Sequence, residues 1–209
     1  GPTTSDGTTT ELTLTPDAPD TTNEVLVTNT FAVGAVEITK LVDGPAADVV
    51  GAGPFTVHLE CTWTRDGRDP VVTYSDDVTL GGDEPMTATA SGIAVGSTCV
   101  VTETDAAGAS STEISVDGAD AVAGTEVEVD VVAGDEASAT VVTITNTFGA
   151  GALQIDKELV GEGAPDADEA GPFTFAVQCT LEREGQDAIT TFVGDVTLGG
   201  AAGLSTTVE

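Results

Sequence analysis

The sequence predicts an all-β protein built from β-sandwich modules in tandem, and three observations predict it. The apolar residues are mostly Val, Ala and Ile, accompanied by abundant Thr, a composition suited to half-buried pleated strands. These residues alternate with polar ones in short runs, and clusters of Gly, Pro and Asp separate the runs at regular spacing. Whole motifs then recur at a nearly constant offset.

Taken in order, the first run is Val36-Glu-Ile-Thr-Lys40, followed by Phe55-Thr-Val-His-Leu-Glu-Cys61. Next come Val71-Val-Thr-Tyr74, Val78-Thr-Leu80 and Met86-Thr-Ala-Thr-Ala90. The later strands are Cys99–Glu103, Thr112–Val116, Thr125–Val131 and Thr140–Asn146. Helix signals are negligible, and short strands separated by turns favour a sandwich.

The repeat sets the domain organisation. Phe31 and Phe148 are 117 residues apart, as are Lys40 and Lys157. Gly53-Pro-Phe-Thr-Val corresponds to Gly171-Pro-Phe-Thr-Phe, Cys61 to Cys179, Arg65 to Arg183, and Asp77-Val-Thr-Leu-Gly-Gly to Asp195-Val-Thr-Leu-Gly-Gly. One complete module is expected over 32–148. Residues 1–31 are expected to be the C-terminal remnant of a preceding repeat, and 149–209 the N-terminal half of a following one.

Cysteine usage fits this division. Cys61 and Cys99 both alternate onto the core face of their strands and should form a disulfide closing a loop of 38 residues. The chain-entropy treatment of such a loop gives about 4 kcal/mol. Cys179 would be left unpaired because its partner strand belongs to the missing half of the next repeat. Buried free thiols are the alternative.

The only two lysines, Lys40 and Lys157, occupy the same place in the repeat, within Gly34-Ala-Val-Glu-Ile-Thr-Lys40 and Gly151-Ala-Leu-Gln-Ile-Asp-Lys157. Side chains alternate across a strand, so Lys40 shares a face with Val36 and Ile38, Asn146 with Val142, Ile144 and Phe148, and Glu103 with Cys99 and Val101. An amine, an amide and a carboxyl therefore point inward from three strands. Apolar surroundings favour the uncharged forms of amine and acid. Lys40 could then attack the Asn146 amide, with Glu103 donating to the amide carbonyl and shuttling protons as ammonia leaves. Fixed geometry would supply the effective molarity. The alternative is a snorkelling lysine or a buried Lys40–Glu103 salt bridge. Asp105 is a rival acid on the face of Glu103, further from the strand centre.

Composition excludes other classes. With 36 acidic and 5 basic residues, a net charge of −31 leaves no basic patch for nucleic acid. No stretch of about 18 apolar residues exists to insert in a membrane. Acidic loops at Asp76-Asp77 and Asp117–Asp120 could bind calcium, but EF-hand and nonapeptide spacings are absent, so no metal site and no cofactor is expected. His58 has parity opposite to Val57 and Leu59 and reads as an exposed sheet residue. Trp63 and Tyr74 read as packing or rim residues, and Arg65 and Arg183 as solvated or paired with nearby carboxylates.

An early strand ending in Ile-Thr-Lys40, a late Val-Thr-Glu103 strand and a closing Ile-Thr-Asn146-Thr-Phe148 resemble Cna B-type domains. Those are immunoglobulin-like stalk modules of Gram-positive adhesins and pilins. The Thr-Asn-Thr-Phe boundary, Gly-Pro-Phe and cysteine-bearing strand look closest to an uncharacterised repeat family of actinobacterial surface proteins. The resemblance implies a Lys40–Asn146 isopeptide crosslink with Glu103 as its catalyst. It departs from many such domains in its cysteine pair and in Thr-Phe after the asparagine.

The expected function is a structural stalk or fibre segment of a secreted, cell-wall-attached or cell-surface protein, not a turnover enzyme. Its partners would be adjacent repeats of the same protein, with a distal ligand left undefined. A self-assembling filament is the alternative, in which half-modules of neighbouring chains complete each other and Lys157 meets Asn29. A ligand-binding module is disfavoured by 4% aromatic content, and a hydrolase by the single histidine.

Overall fold

A computed structural model describes residues 26–50, 53–166, 169–183 and 186–208. The chain falls into two compact units, Gly1–Phe31 and Ala32–Glu209. In the first, residues 26–31 are exposed and irregular; most of the expected remnant of a preceding repeat lies outside the described residues.

In the second unit, residues 33–147 form an immunoglobulin-like β-sandwich. Its strands are β1 (Val33–Asp43), β2 (Phe55–Trp63), β3 (Val71–Leu80), β4 (Thr87–Ala94), β5 (Ser97–Asp105), β6 (Ser111–Val116), β7 (Val122–Ala123), β8 (Glu126–Asp130) and β9 (Thr140–Thr147). One sheet has the order β4-β1-β9-β6-β7 and the other β3-β2-β5-β8. The first and last strands, β1 and β9, are parallel neighbours in the middle of the five-stranded sheet.

Period-two patterning is what fixes these sheets on each other. Strand β9 alternates buried and half-buried along its whole length, as does β5 over most of its course. Val36, Ile38, Val142 and Ile144 from one sheet meet Val57, Leu59, Cys61, Cys99 and Val101 from the other in the main core. Cys61 and Cys99 stand directly opposite on β2 and β5 and are joined by a disulfide within one sheet, with Cα atoms 3.9 Å apart. A second core cluster, Val50, Phe55, Ala107 and Phe148, seals the end of the sandwich where β1 and β9 finish.

Several sequence expectations shift. A four-residue helix, α1 (Ala47–Val50), follows β1, too short to leave a helical periodicity in the sequence. The runs at Val71 and Val78 are one continuous strand, because exposed Ser75 to Asp77 keep extended pairing with β2. Strand β4 reaches Ala94, since Gly92 lies unpaired at a register shift between Ser91 and Ile93 and lets pairing with β1 resume. At the close of β1, Gly44 adopts φ +100 and Phe148 passes so near that a Cβ at position 44 would lie 2.4 Å from its carbonyl oxygen. Only glycine accommodates both.

Beyond the module lie β10 (Leu153–Asp156), β11 (Phe173–Arg183), β12 (Gln186–Leu198) and β13 (Ser205–Val208), paired as β10-β13 and β11-β12. Two local features recur at matching positions. The Lys157 amide donates to Leu204 O at 2.8 Å, as the Lys40 amide donates to Met86 O at 2.8 Å. Both Gly53-Pro54 and Gly171-Pro172 are cis.

Candidate functional site: a buried amine, acid and amide

Lys40, Glu103 and Asn146 are brought together in the interior. Parallel pairing sets Lys40 opposite Ile144 and Val42 opposite Asn146, so lysine and asparagine lie two residues apart on one face of adjacent strands. Glu103 comes across from β5 in the other sheet. Residue exposures are 2% for Lys40, 5% for Glu103 and 0% for Asn146, a degree of burial that charged groups reach only when partnered.

Lys40 Nζ lies 2.9 Å from Glu103 Oε1, and both side chains are wholly inaccessible. The contact is close but poorly angled, and Nζ makes no hydrogen bond of good geometry. Asn146 Nδ2 donates to the same Glu103 oxygen at 3.1 Å and to the Ala106 carbonyl at 3.2 Å. One carboxylate oxygen thus faces both the amine and the amide nitrogen. The sequence led us to expect Glu103 on the amide carbonyl. The structure differs, because the Ala106 carbonyl accepts only and holds the amide nitrogen on the glutamate side. The Asn146 carbonyl oxygen instead accepts from the Thr112 hydroxyl at 2.9 Å. Thr112 Oγ1 also lies 3.2 Å from Glu103 Oε2.

The electrostatics follow from the surroundings. Burial pushes the Lys40 ammonium below its ordinary value of 10.5, while the hydrogen-bonding and charge interaction with Glu103 pulls the other way and does not fully offset it. The Phe55 ring centroid is 4.8 Å from Nζ, and Phe55 packs at 6.4 Å against Phe148, so an apolar lid covers the amine.

Other expected residues fall elsewhere. The Asp105 Oδ1 accepts from the Ala107 amide at 2.8 Å, where Ala107 takes φ 53. This turn is what presents the Ala106 carbonyl to Asn146. Lys157 is half-buried and its Nζ stands 5.2 Å from the Phe173 ring, matching Lys40 over Phe55. Asn29 is exposed and outside any strand. Cys179 is a free thiol of intermediate exposure on β11. His58 is half-buried where the sequence predicted exposure, with Nδ1 2.7 Å from Asp77 Oδ1 directly across β2 and β3. Arg65 stacks 5.0 Å from the Trp63 ring.

Two of the expected acidic groups bond backbone amides, and Asp76-Asp77 lies within β3 rather than in a loop. Asp117 Oδ1 accepts from the Val141 amide and Asp76 Oδ1 from the Asp77 amide. Among the described residues, no cluster of three His, Cys, Asp or Glu side chains is placed to hold a metal. Nor is any helix among them long and apolar enough to cross a membrane.

Sequence reasoning missed Thr112 and the Ala106 carbonyl. The first was accessible, since Thr112 has the parity of buried Ile114 on β6. The second belongs to a loop backbone, which periodicity does not read.

Fold and site together define a β-sandwich module whose adjacent first and last strands carry a buried amine and amide. Residues 36–149 match the DUF5979 family, described as a domain of unknown function, and the chain belongs to that family. No curated protein matches. Among solved structures the chain is similar to a pilus-presented adhesin, Spy0125 (Cpa), at 19% identity over 56% of this chain and 27% of that one, with a TM-score of 0.39. It is similar to the major pilin from Streptococcus pyogenes at 21% identity over 57% and 49%, TM-score 0.39. A third is a bacterial adhesin from Mobiluncus mulieris containing intramolecular disulfide, isopeptide and ester bond crosslinks, at 21% identity over 56% and 42%, TM-score 0.39. The chain spans half or less of the length of each.

Proposed function

We propose that residues 32–148 are a self-crosslinking stalk module of a secreted, cell-wall-attached or cell-surface protein, one of a tandem series in which 1–31 and 149–209 belong to the neighbouring repeats. Lys40 Nζ attacks Asn146 Cγ, Glu103 moves the proton from the amine to the departing nitrogen, and ammonia leaves. A single observation carries this reading: Glu103 Oε1 stands 2.9 Å from the Lys40 nitrogen and 3.1 Å from the Asn146 nitrogen in a site closed to solvent. A proton carrier must touch both nitrogens, and this oxygen does.

The mechanical role follows from topology. Tension through the ends of the module loads β1 and β9, which are neighbours in parallel. A Lys40–Asn146 bond would join them covalently, and the Cys61–Cys99 disulfide ties the opposite sheet. A net charge of −31 keeps neighbouring molecules apart and the fibre soluble.

The 2.9 Å contact also favours a second reading, in which Lys40 and Glu103 form a permanent buried ion pair. Such pairs stabilise little by themselves. Intact mass spectrometry of the unreduced chain under denaturing conditions separates the two. A mass short by one ammonia, restored in Lys40→Ala and in Glu103→Ala, supports the crosslink. A wild-type chain with its ammonia intact leaves only the ion pair.

A further inference from the structure

We propose that the Thr112 hydroxyl is the oxyanion donor of the crosslinking reaction, polarising the Asn146 carbonyl and stabilising the charge that develops on Oδ1 as Lys40 attacks; this deepens the function proposed above and depends on it.

The amide orientation carries the assignment. The Ala106 carbonyl, 3.2 Å from Asn146 Nδ2, can only accept, so nitrogen and oxygen of the amide are not interchangeable here. Oδ1 must point toward β6, where Thr112 Oγ1 lies 2.9 Å away. Thr112 is directly opposite Asn146 in the antiparallel β6–β9 pair, so strand register holds the hydroxyl in place. Its β-branched side chain has few rotamers to lose. Donors aimed beforehand at an oxygen that becomes negative are among the largest contributors to acyl transfer.

A hydroxyl has one proton. Its two acceptors are Asn146 Oδ1 at 2.9 Å and Glu103 Oε2 at 3.2 Å, and the shorter contact assigns the proton to the amide oxygen. Glu103 then acts through its two oxygens differently: Oε1 touches both nitrogens, and Oε2 reaches the carbonyl by way of Thr112. This replaces the direct glutamate–carbonyl hydrogen bond that the sequence led us to expect.

The step balances without any added reagent. The Lys40 Nζ–Asn146 Cγ bond forms as the carbonyl π pair moves onto Oδ1, stabilised by Thr112. The amine nitrogen gives one proton to Glu103 Oε1, and the carboxyl returns one to Nδ2. The carbonyl re-forms, the Cγ–Nδ2 bond breaks, and one ammonia leaves, with Thr112 and Glu103 unchanged.

The test follows ammonia loss over time in the full chain made by cell-free synthesis, quenched in denaturant and weighed intact. Thr112→Val, which keeps the shape and removes the hydroxyl, should slow the loss by about 10²–10³-fold, in line with deletion of one oxyanion donor. Thr112→Ser, which keeps the hydroxyl and removes the methyl, should stay close to the wild-type rate. Disulfide formation, read as loss of two hydrogens in the same spectra, reports that each variant has folded. If the valine chain does not fold, Thr112→Ala removes the same hydroxyl without a bulky replacement. Crosslinking of the hydroxyl-free chain at the wild-type rate overturns the assignment. So does a serine variant as slow as valine, which would make Thr112 a packing residue. A wild-type chain that never loses ammonia instead sinks the crosslinking function itself.

Discussion

Lys40 and Asn146 sit two positions apart on one face of parallel strands, Lys40 opposite Ile144 and Asn146 opposite Val42. The Lys40 nitrogen stands over the Phe55 ring, 4.8 Å from its centroid. Glu103, arriving from the facing sheet, fills the gap between their nitrogens. The sandwich thus places an amine, a carboxyl and an amide on three strands that are distant in sequence.

Closing the segment between Lys40 and Asn146 should stabilise the module strongly. The chain-entropy treatment gives about 4.7 kcal/mol for a closed loop of about 100 residues. Lys40→Met keeps much of the buried apolar stem while removing the nucleophile. We expect its denaturant midpoint to fall by a margin corresponding to several kcal/mol. An unchanged midpoint would mean that the wild type carries no covalent link.

The disulfide predicts a different signature. Cys61 and Cys99 are both fully buried in the main core, so a reductant has no direct access to either sulfur. Mild reductant should leave the native protein oxidised, and reduction should begin only where denaturant opens the sandwich. Mass spectra after thiol alkylation across a urea series would follow this. A Cys61→Ala, Cys99→Ala double variant should lose about 4 kcal/mol less the gain from any relaxation at the site. Alkylation of the native wild type at low reductant would contradict the burial.

Much of this site was legible in the sequence because parity is a strong constraint where one strand face is buried. Val36, Ile38 and Lys40, or Ile144, Asn146 and Phe148, read as a single face, and the structure buries every one of them. The orientation of Glu103 was not legible. It depends on the Ala106 carbonyl, which a left-handed Ala107 and the Asp105 side chain turn toward Asn146. Backbone groups in turns leave no hydrophobic period. Thr112 was hidden for another reason: threonine is common in every strand here, and only its register with Asn146 distinguishes it.

Gly44 should tolerate no side chain. Its φ of +100 is strained for any L-residue, and a Cβ there would stand 2.4 Å from the Phe148 carbonyl oxygen, a backbone atom that cannot step aside. The same carbonyl accepts from the Ala46 amide, and the Phe148 amide donates to Asp43 O, so a shift would break the clasp between the ends of β1 and β9. Gly44→Ala should cost about 1–3 kcal/mol or more. Thermal unfolding of a Lys40→Met background, free of any crosslink, would measure it; an undiminished melting temperature there would show that the clasp is pliable.

The lowered Lys40 value yields a pH dependence with a definite sign, visible only where the amine stays free. Asn146→Ala removes the electrophile and keeps Lys40 and Glu103 side by side. In that variant the folded state releases the Lys40 proton below 10.5, whereas the unfolded chain holds it up to about that value. Between the two values the unfolded state binds more protons at Lys40, so this residue's contribution to stability rises with pH across that window and levels off above 10.5. Below the folded value the full cost of burying the ammonium remains. Urea titrations of Asn146→Ala at a series of alkaline pH values should therefore show climbing midpoints. The climb should vanish in the Lys40→Met, Asn146→Ala double variant. It should also be absent from wild type once Lys40 has become an amide, which has no proton to release in this range. A flat profile in Asn146→Ala would mean that the pull of Glu103 on the ammonium matches the cost of its burial, and that the amine is no readier to attack than any other lysine.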